Sequence, residues 1–243
     1  MPLKLMLFFV FAIALVSLLS APGDYVRYND GLLVDDFESY IDGGLPTNWK
    51  YIEGRKLVWV QDRHMRPNER FFVVEEGGNK FVRAYSRGEA VHLTMANDRD
   101  GFDWDLQTHP YLTWEWRANE LPRGAREDKN RLNDAGLGLY VFFDMKGVLI
   151  KKPQAIKYTY SSTLPVGTIL KQDKLRVIVV ASGKEGFGRW MRIERDVVAD
   201  YRRAFKGDPP SRPLSIRLWS DSDNTNQVGE GDFDNIRLLE SPH

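Results

Sequence analysis

Leu214-Ser-Ile-Arg-Leu-Trp219, then Ser220-Asp-Ser-Asp-Asn-Thr-Asn226, then Phe233-Asp-Asn-Ile-Arg-Leu-Leu239 is the stretch that decides the fold. In the first segment apolar and polar residues alternate with a period of two, which is a strand with one buried face. The second is an acidic, amide-rich loop. The third reads as a closing strand, entered through a turn at Gly229-Glu-Gly231. A strand, a loop rich in side-chain oxygens and a final strand end an antiparallel sandwich whose loops carry a binding site.

The same alternation recurs upstream. It predicts strands at Leu32–Phe37, Leu57–Gln61, Phe71–Glu75, Phe81–Tyr85, Ala90–Met95, Tyr111–Arg117, Leu137–Phe143, Ala155–Tyr160, Leu175–Ala181 and Trp190–Asp196. Turn chemistry separates them, as at Asp42-Gly-Gly44, Glu76-Gly-Gly-Asn79 and Ser182-Gly183. One helix is predicted, Val197 to Phe205, ended by Gly207 and Pro209-Pro210. Many short strands and one short helix give an all-β class: a single jelly-roll-like antiparallel β-sandwich over residues 32–240, preceded by a short arm at 24–31.

Lys4 followed by an almost unbroken apolar run, Leu5 to Ala21, and then Pro22-Gly23-Asp24 has the form of a secretory signal peptide over residues 1–23. The expected location is therefore periplasmic or secreted. Contact with a membrane is expected only through this segment, if it stays as an uncleaved anchor. With no cysteine in the chain, disulfides, thiolate metal sites and lipid attachment at a cysteine are excluded, so the core must hold the fold. Lys plus Arg equals Asp plus Glu at 34 each, so no net field draws the chain to nucleic acid. No phosphate loop or Gly-x-Ser-x-Gly elbow is present, and the four histidines have no ligand spacing, so nucleotide, serine-nucleophile and zinc chemistry lack support.

Strand phase sorts the remaining polar residues. In Tyr111–Arg117, Leu112, Trp114 and Trp116 oppose Thr113, Glu115 and Arg117. In Trp190–Arg195, Met191 and Ile193 oppose Arg192 and Glu194. In Leu214–Asp221, Leu214, Ile216 and Leu218 oppose Arg217, Trp219 and Asp221. If these strands lie in one sheet, its outer face is a patch of Arg, carboxylate and exposed indole, as in sugar-binding jelly rolls. The other reading of the same pattern is a solvated face with cross-strand ion pairs.

Several motifs then carry a family resemblance. They are Tyr111-Leu-Thr-Trp-Glu-Trp-Arg117 with Leu121-Pro-Arg-Gly124, Asn133-Asp-Ala135 before Leu139-Tyr-Val-Phe-Phe143, and Ile156-Lys-Tyr158 with Leu164-Pro-Val-Gly167. Trp190 to Asp196 with Asp200-Tyr201 and Phe205, and finally Asp221-Ser-Asp-Asn-Thr225, complete the set. In this order they resemble domain-of-unknown-function family 3047, found in exported bacterial proteins. The resemblance implies a β-sandwich and export, and nothing about activity. Tyr158-Thr-Tyr160 stands where the family carries an aromatic residue followed by Val-Trp, which makes Tyr160 the ring that would stack in the tryptophan's place.

The expected ligand is a carbohydrate or cell-envelope glycan, bound without catalysis and without a cofactor. Trp219 with Tyr158 or Tyr160 would stack on a sugar ring, and Arg117, Glu115, Arg192, Asp221 and Asp223 would hold hydroxyls. The alternative is a glycan-active hydrolase or lyase using Glu115, Glu194 and Asp221, which requires two carboxylates facing one cleft. A third reading is an envelope module that contacts proteins through its sheet face. The alternate Asp221, Asp223 and Thr225 are also candidate calcium oxygens, with Asp35 and Asp234 from the first and last strands. Against this, Asx turns within the loop itself explain the same residues.

Overall fold

The computed structural model describes residues 31–98, 102–146, 152–183 and 186–243. The predicted signal segment at 1–23 lies outside them, as does the arm at 24–31 except for Gly31. Fourteen strands are described: β1 Leu32–Asp35, β2 Lys50–Glu53, β3 Lys56–Trp59, β4 Glu69–Glu76, β5 Asn79–Arg87, β6 Ala90–Ala96, β7 Tyr111–Glu120, β8 Ala135–Lys146, β9 Lys152–Ser161, β10 Ile169–Gln172, β11 Leu175–Ser182, β12 Met191–Asp196, β13 Ser215–Asp221 and β14 Val228–Leu239. Among the described residues one α-helix, α1, spans Val197–Phe205, and one 3-10 turn spans Asp62–His64. Every predicted strand has a counterpart, and the helix has the predicted bounds. Its cap differs, because Lys206 rather than Gly207 takes the left-handed conformation at φ 63°.

The strands form two sheets. Sheet A runs β12-β7-β14-β5-β4, with β1 also paired to β14, and sheet B runs β10-β11-β9-β8-β13-β6-β2-β3. One pair departs from the expected antiparallel pattern: β9 and β11 are parallel, with β10 forming a hairpin outside β11. The core lies between the sheets. Trp114 and Trp116 of sheet A, both fully buried, pack on Tyr158 and Tyr160 of sheet B at ring separations of 5.5 and 5.8 Å. At about 25 cal/mol per Å² over some 200 Å² of ring surface, each such tryptophan contributes about 5 kcal/mol.

The predicted turn at Gly229-Glu-Gly231 is instead the start of β14. Both glycines serve close approach between the sheets. A Cβ on Gly231 would lie 2.5 Å from the Leu137 side chain, and one on Gly229 would lie 3.0 Å from the Gly136 Cα. Beside them Ser86 and Ser220 share a 2.9 Å hydrogen bond between their Oγ atoms.

β14 is the axis of sheet A. One edge pairs with β7, and the other pairs first with β5 (Val228–Phe233) and then with β1 (Ile236–Leu238). A bulge separates the two partners, built on Asn235 at φ 47°, whose backbone N–H donates to Asp234 Oδ1 at 2.7 Å. α1 closes one side of the core. Its Asp200 accepts from Tyr158 Oη at 3.1 Å and from Arg195 Nε at 2.8 Å.

Candidate functional site

The predicted composite patch requires β7, β12 and β13 in one sheet, and that requirement fails. β7 and β12 are neighbours in sheet A, whereas β13 is central in sheet B. Arg117, Glu115, Arg192 and Glu194 therefore lie on one outer face of the sandwich, and Trp219, Asp221 and Asp223 belong to the opposite side.

On sheet A most of the polar residues are occupied with one another, Glu115 Oε2 being a buried atom without a hydrogen-bond partner among the described residues. Arg117 Nε donates to the fully buried Asp232 at 2.8 Å and its Nη2 donates to Glu76 at 2.7 Å; Arg83 and Asn119 complete the shell of Asp232. Arg192 donates to Thr113 Oγ1 at 3.2 Å and lies 3.7 Å from Glu194. Glu115 is buried, with Asn235 Nδ2 at 3.5 Å from its Oε1. These are the cross-strand pairs of a structural sheet face. Asp221 lies across the sandwich from Glu115 and Glu194, so the three carboxylates do not meet in one cleft.

Tyr158 and Tyr160 are corrected outright. Both are fully buried between the sheets, so neither presents a ring to a ligand. Strand parity is the reason: Ile156, Tyr158 and Tyr160 share the inward face of β9, while Lys157, Thr159 and Ser161 face out.

Sheet B carries the more unusual outer face. Direct pairing aligns Trp59 with Lys50, Lys50 with Thr94, Thr94 with Arg217, Arg217 with Tyr140 and Tyr140 with Lys157. Residues directly opposite one another share a face, so this row crosses six adjacent strands and spans about 24 Å at 4.8 Å per strand. Each cation in it lies over a ring. Lys50 Nζ is 4.7 Å from the Trp59 ring, Arg217 Cζ is 4.3 Å from Phe142, and Lys157 Nζ is 5.6 Å from Tyr140. Trp59, at the margin, is 44% exposed.

A second line of rings runs beside this row. His64, Tyr51, His92 and Trp219 stack in succession at 4.7, 5.2 and 4.9 Å, and Tyr140 follows at 5.5 Å. Gly138, opposite Trp219, leaves the room that Lys157 and Tyr140 fill; a Cβ there would lie 3.1 Å from Lys157 Cε. The predicted role of Trp219 changes accordingly. His92 covers one face of its indole and Tyr140 and Arg217 crowd the ring, so Trp219 offers an edge where an open stacking face was expected. Its Nε1–H and His92 Nε2 are buried without a hydrogen-bond partner.

Burial dominates the electrostatics of this face. It pulls the His92 imidazole down to about 4, helped by the Arg217 charge, so His92 is neutral. It also lowers the Arg217 guanidinium to about 10, with a partial offset from Tyr140. Asp221 is pushed up to about 7 by burial, against the pull of Lys157, and Asp223 and Asp134 push it further in the same direction.

Asp134, Asp221 and Asp223 place one carboxylate oxygen each within 4.8 Å of the others, a spacing that an oxygen-liganded cation can bridge. Asp134 is also what shapes the loop: its carboxylate accepts from the backbone N–H groups of Asn224 at 3.0 Å and Thr225 at 2.7 Å. The other two predicted ligands are elsewhere. Asp35 accepts from Tyr40 Oη and Trp49 Nε1, both at 2.7 Å, and Asp234 accepts from Asn79 at 2.9 Å on sheet A. The four predicted carboxylates thus do not form one site.

Sequence reasoning missed Trp59, Lys50, Tyr140, Lys157 and Asp134. Tyr140 and Lys157 were legible, since each sits between inward residues of a predicted strand; their alignment with Arg217 was not. A separate cleft of about 670 Å³ at one end of the sandwich is lined by Leu121, Pro122, Arg123 and Phe187 and contains none of the predicted residues.

Fold and site together define a two-sheet β-sandwich with an aromatic and cationic outer face. The chain belongs to DUF3047, described as a family of proteins of unknown function, whose profile matches residues 58–237. No curated protein matches the sequence. Among solved structures it is similar to a family 11 carbohydrate-binding module of a Clostridium thermocellum cellulosomal cellulase, at 12% identity and TM-score 0.44, covering 89% of this chain and 99% of that one. A non-crystalline cellulose-specific family 28 module shows 12% identity and TM-score 0.41 over 86% and 94% of the two chains. A family 30 module, also from Clostridium thermocellum, shows 11% identity and TM-score 0.40 over 89% and 96%.

Proposed function

We propose that this protein is an exported, periplasmic or secreted, non-catalytic glycan-binding β-sandwich, and that the glycan lies on the outer face of sheet B along the row from Trp59 to Lys157. The observation that carries this reading is the row itself. An outer sheet face normally carries independent solvated side chains. Here aromatic rings, hydroxyls and cations are packed edge to edge across six strands, the mixture of residues that dominates recognition surfaces. In this reading Trp59 supplies the open ring that stacks on a sugar, while Arg217, held by Thr94 beneath it, supplies hydrogen bonds. Asp134, Asp221 and Asp223 would hold a calcium ion at the margin of the face. Export is supported by the apolar run at Leu5–Ala21.

The test is affinity electrophoresis of the full-length chain through gels containing soluble polysaccharides, with product analysis of each one that retards it. Retardation without product, lost in Trp59→Ala at unchanged melting temperature, is the expected result. Product formation would make the protein an enzyme. No retardation by any polysaccharide, with capture of a protein from envelope fractions, would replace the reading by a protein-contact role.

A further inference from the structure

We propose, building on the glycan reading, that Arg217 forms an anion subsite and that the glycan is an acidic one, carrying carboxylate or sulfate groups. The argument begins with how other guanidinium groups in this fold are satisfied. Arg83, Arg117 and Arg195 each meet a carboxylate at 2.8 Å or closer. Arg176 and Arg237 lack a carboxylate but are closed by carbonyl oxygens, those of Ala204, Asp173 and Leu175 for the first and of the Asn235 side chain for the second.

Arg217 has neither kind of partner among the described residues. Its Nε donates to Thr94 Oγ1 at 2.9 Å, and its planar face rests on Phe142 at 4.3 Å. Among the described residues the two Nη groups have no acceptor, and neither is sealed from solvent. Withdrawing a guanidinium from water without a counter-charge is costly, and a planar fork of donors matches the geometry of a carboxylate or sulfate group.

The surroundings reinforce this. Trp219 Nε1–H, a donor with no partner, belongs to the ring that Arg217 approaches at 5.9 Å. Lys50 and Lys157 lie in the same row, each two strands from Arg217 and so roughly 10 Å away by strand spacing. Lys157 is buried and Lys50 is buried and paired with Asp98 at 3.1 Å, so both add positive potential beneath the face, and Arg217 is the member of the row that offers donors to an anion.

The experiment is calorimetric titration of the chain with oligogalacturonate and with the same oligomer fully methyl-esterified, which removes the charge and adds one methyl group per residue, followed by thermal shift with inorganic sulfate. The expected result is at least tenfold tighter binding of the acid, reduced to parity in Arg217→Gln, with sulfate raising the melting temperature of the wild type and not of the variant. Binding of acid and ester with equal affinity overturns the acidic-glycan inference and leaves the glycan reading standing. An Arg217-dependent sulfate shift with neither oligomer bound does the reverse: the anion subsite stands and the glycan reading falls. If Arg217→Gln fails to fold, the comparison of acid and ester on the wild type decides alone.

Discussion

Arg117 and Arg217 sit on opposite outer faces of one sandwich, the first clamped by Asp232 at 2.8 Å and Glu76 at 2.7 Å, the second answered by a single hydroxyl, Thr94 Oγ1, at 2.9 Å. Identical side chains on the two facing sheets thus have different tasks. Arg117 neutralises a buried carboxylate; Arg217 has its charge to spare.

That difference predicts opposite outcomes for the same substitution. Arg117→Ala leaves Asp232 with Arg83 and Asn119 only and should lower stability by about 2 kcal/mol while leaving ligand retention unchanged. Arg217→Ala should lower stability by less than about 1 kcal/mol and abolish retention. Urea denaturation and affinity electrophoresis of both variants check this; loss of retention in Arg117→Ala would return the site to sheet A.

Gly231 and Leu137 form a second testable pair. A Cβ on Gly231 would lie 2.5 Å from the buried Leu137 side chain, so Gly231→Ala should cost about 2 kcal/mol by overpacking. Leu137→Ala alone should cost about 3 kcal/mol by leaving a cavity. The double variant should be more stable than the sum of the two losses, by about 1 kcal/mol in a double-mutant cycle. Additivity would mean that the sheets part at that end without strain.

His92 sets a pH dependence whose sign follows from its depressed value of about 4 against 6.5 when free. Between those two values the unfolded chain binds a proton that the folded chain refuses, so stability is lost as pH falls from about 6.5 to about 4, by on the order of 3 kcal/mol. Asp221, raised to about 7, slopes the opposite way over much of the same range, which will flatten the profile of the wild type. The difference between wild type and His92→Gln isolates the histidine, and NMR titration of its ring should show no protonation above pH 5.

Calcium provides the fourth check. If the trio of Asp134, Asp221 and Asp223 holds the ion, saturation at a hundredfold excess over the dissociation constant should add about 2.7 kcal/mol to stability. Asp223→Asn should abolish most of this gain, and a chelator should reverse it in the wild type. An unchanged melting temperature with calcium would leave Asp134 as a loop organiser and nothing more.

How much of this was legible in the sequence follows from what alternation encodes. A period of two reports which residues share a face of one strand, so Leu112, Trp114 and Trp116 were placed inward correctly, and Arg217 and Trp219 outward. It carries no information on which sheet a strand joins, and the patch uniting Arg117 with Trp219 failed on that point alone. Tyr158 and Tyr160 were assigned to a binding role through the family resemblance, although their phase opposite Lys157 placed them inward. Gly229 and Gly231 read as a turn because a glycine chosen for close approach looks the same in sequence as one chosen for backbone freedom. β2 and β10, four residues each, were not predicted, whereas β1 and β3 of the same length were read from alternation that runs on beyond their ends. Alignment of Trp59, Lys50, Thr94, Arg217, Tyr140 and Lys157 depends on the register of six strands, which no local pattern records.

The position of β14 constrains the order in which the molecule can assemble. Residues 228–239 pair with β7 on one side and with both β5 and β1 on the other, so sheet A has an empty centre until the last of these strands has been synthesised. Two halves of a sheet with unfilled inner edges cannot settle while the ribosome is still working towards residue 228, and their long-range pairing makes them slow to close in any case. Late placement of the central strand thus leaves sheet A without its middle until residue 239 has emerged.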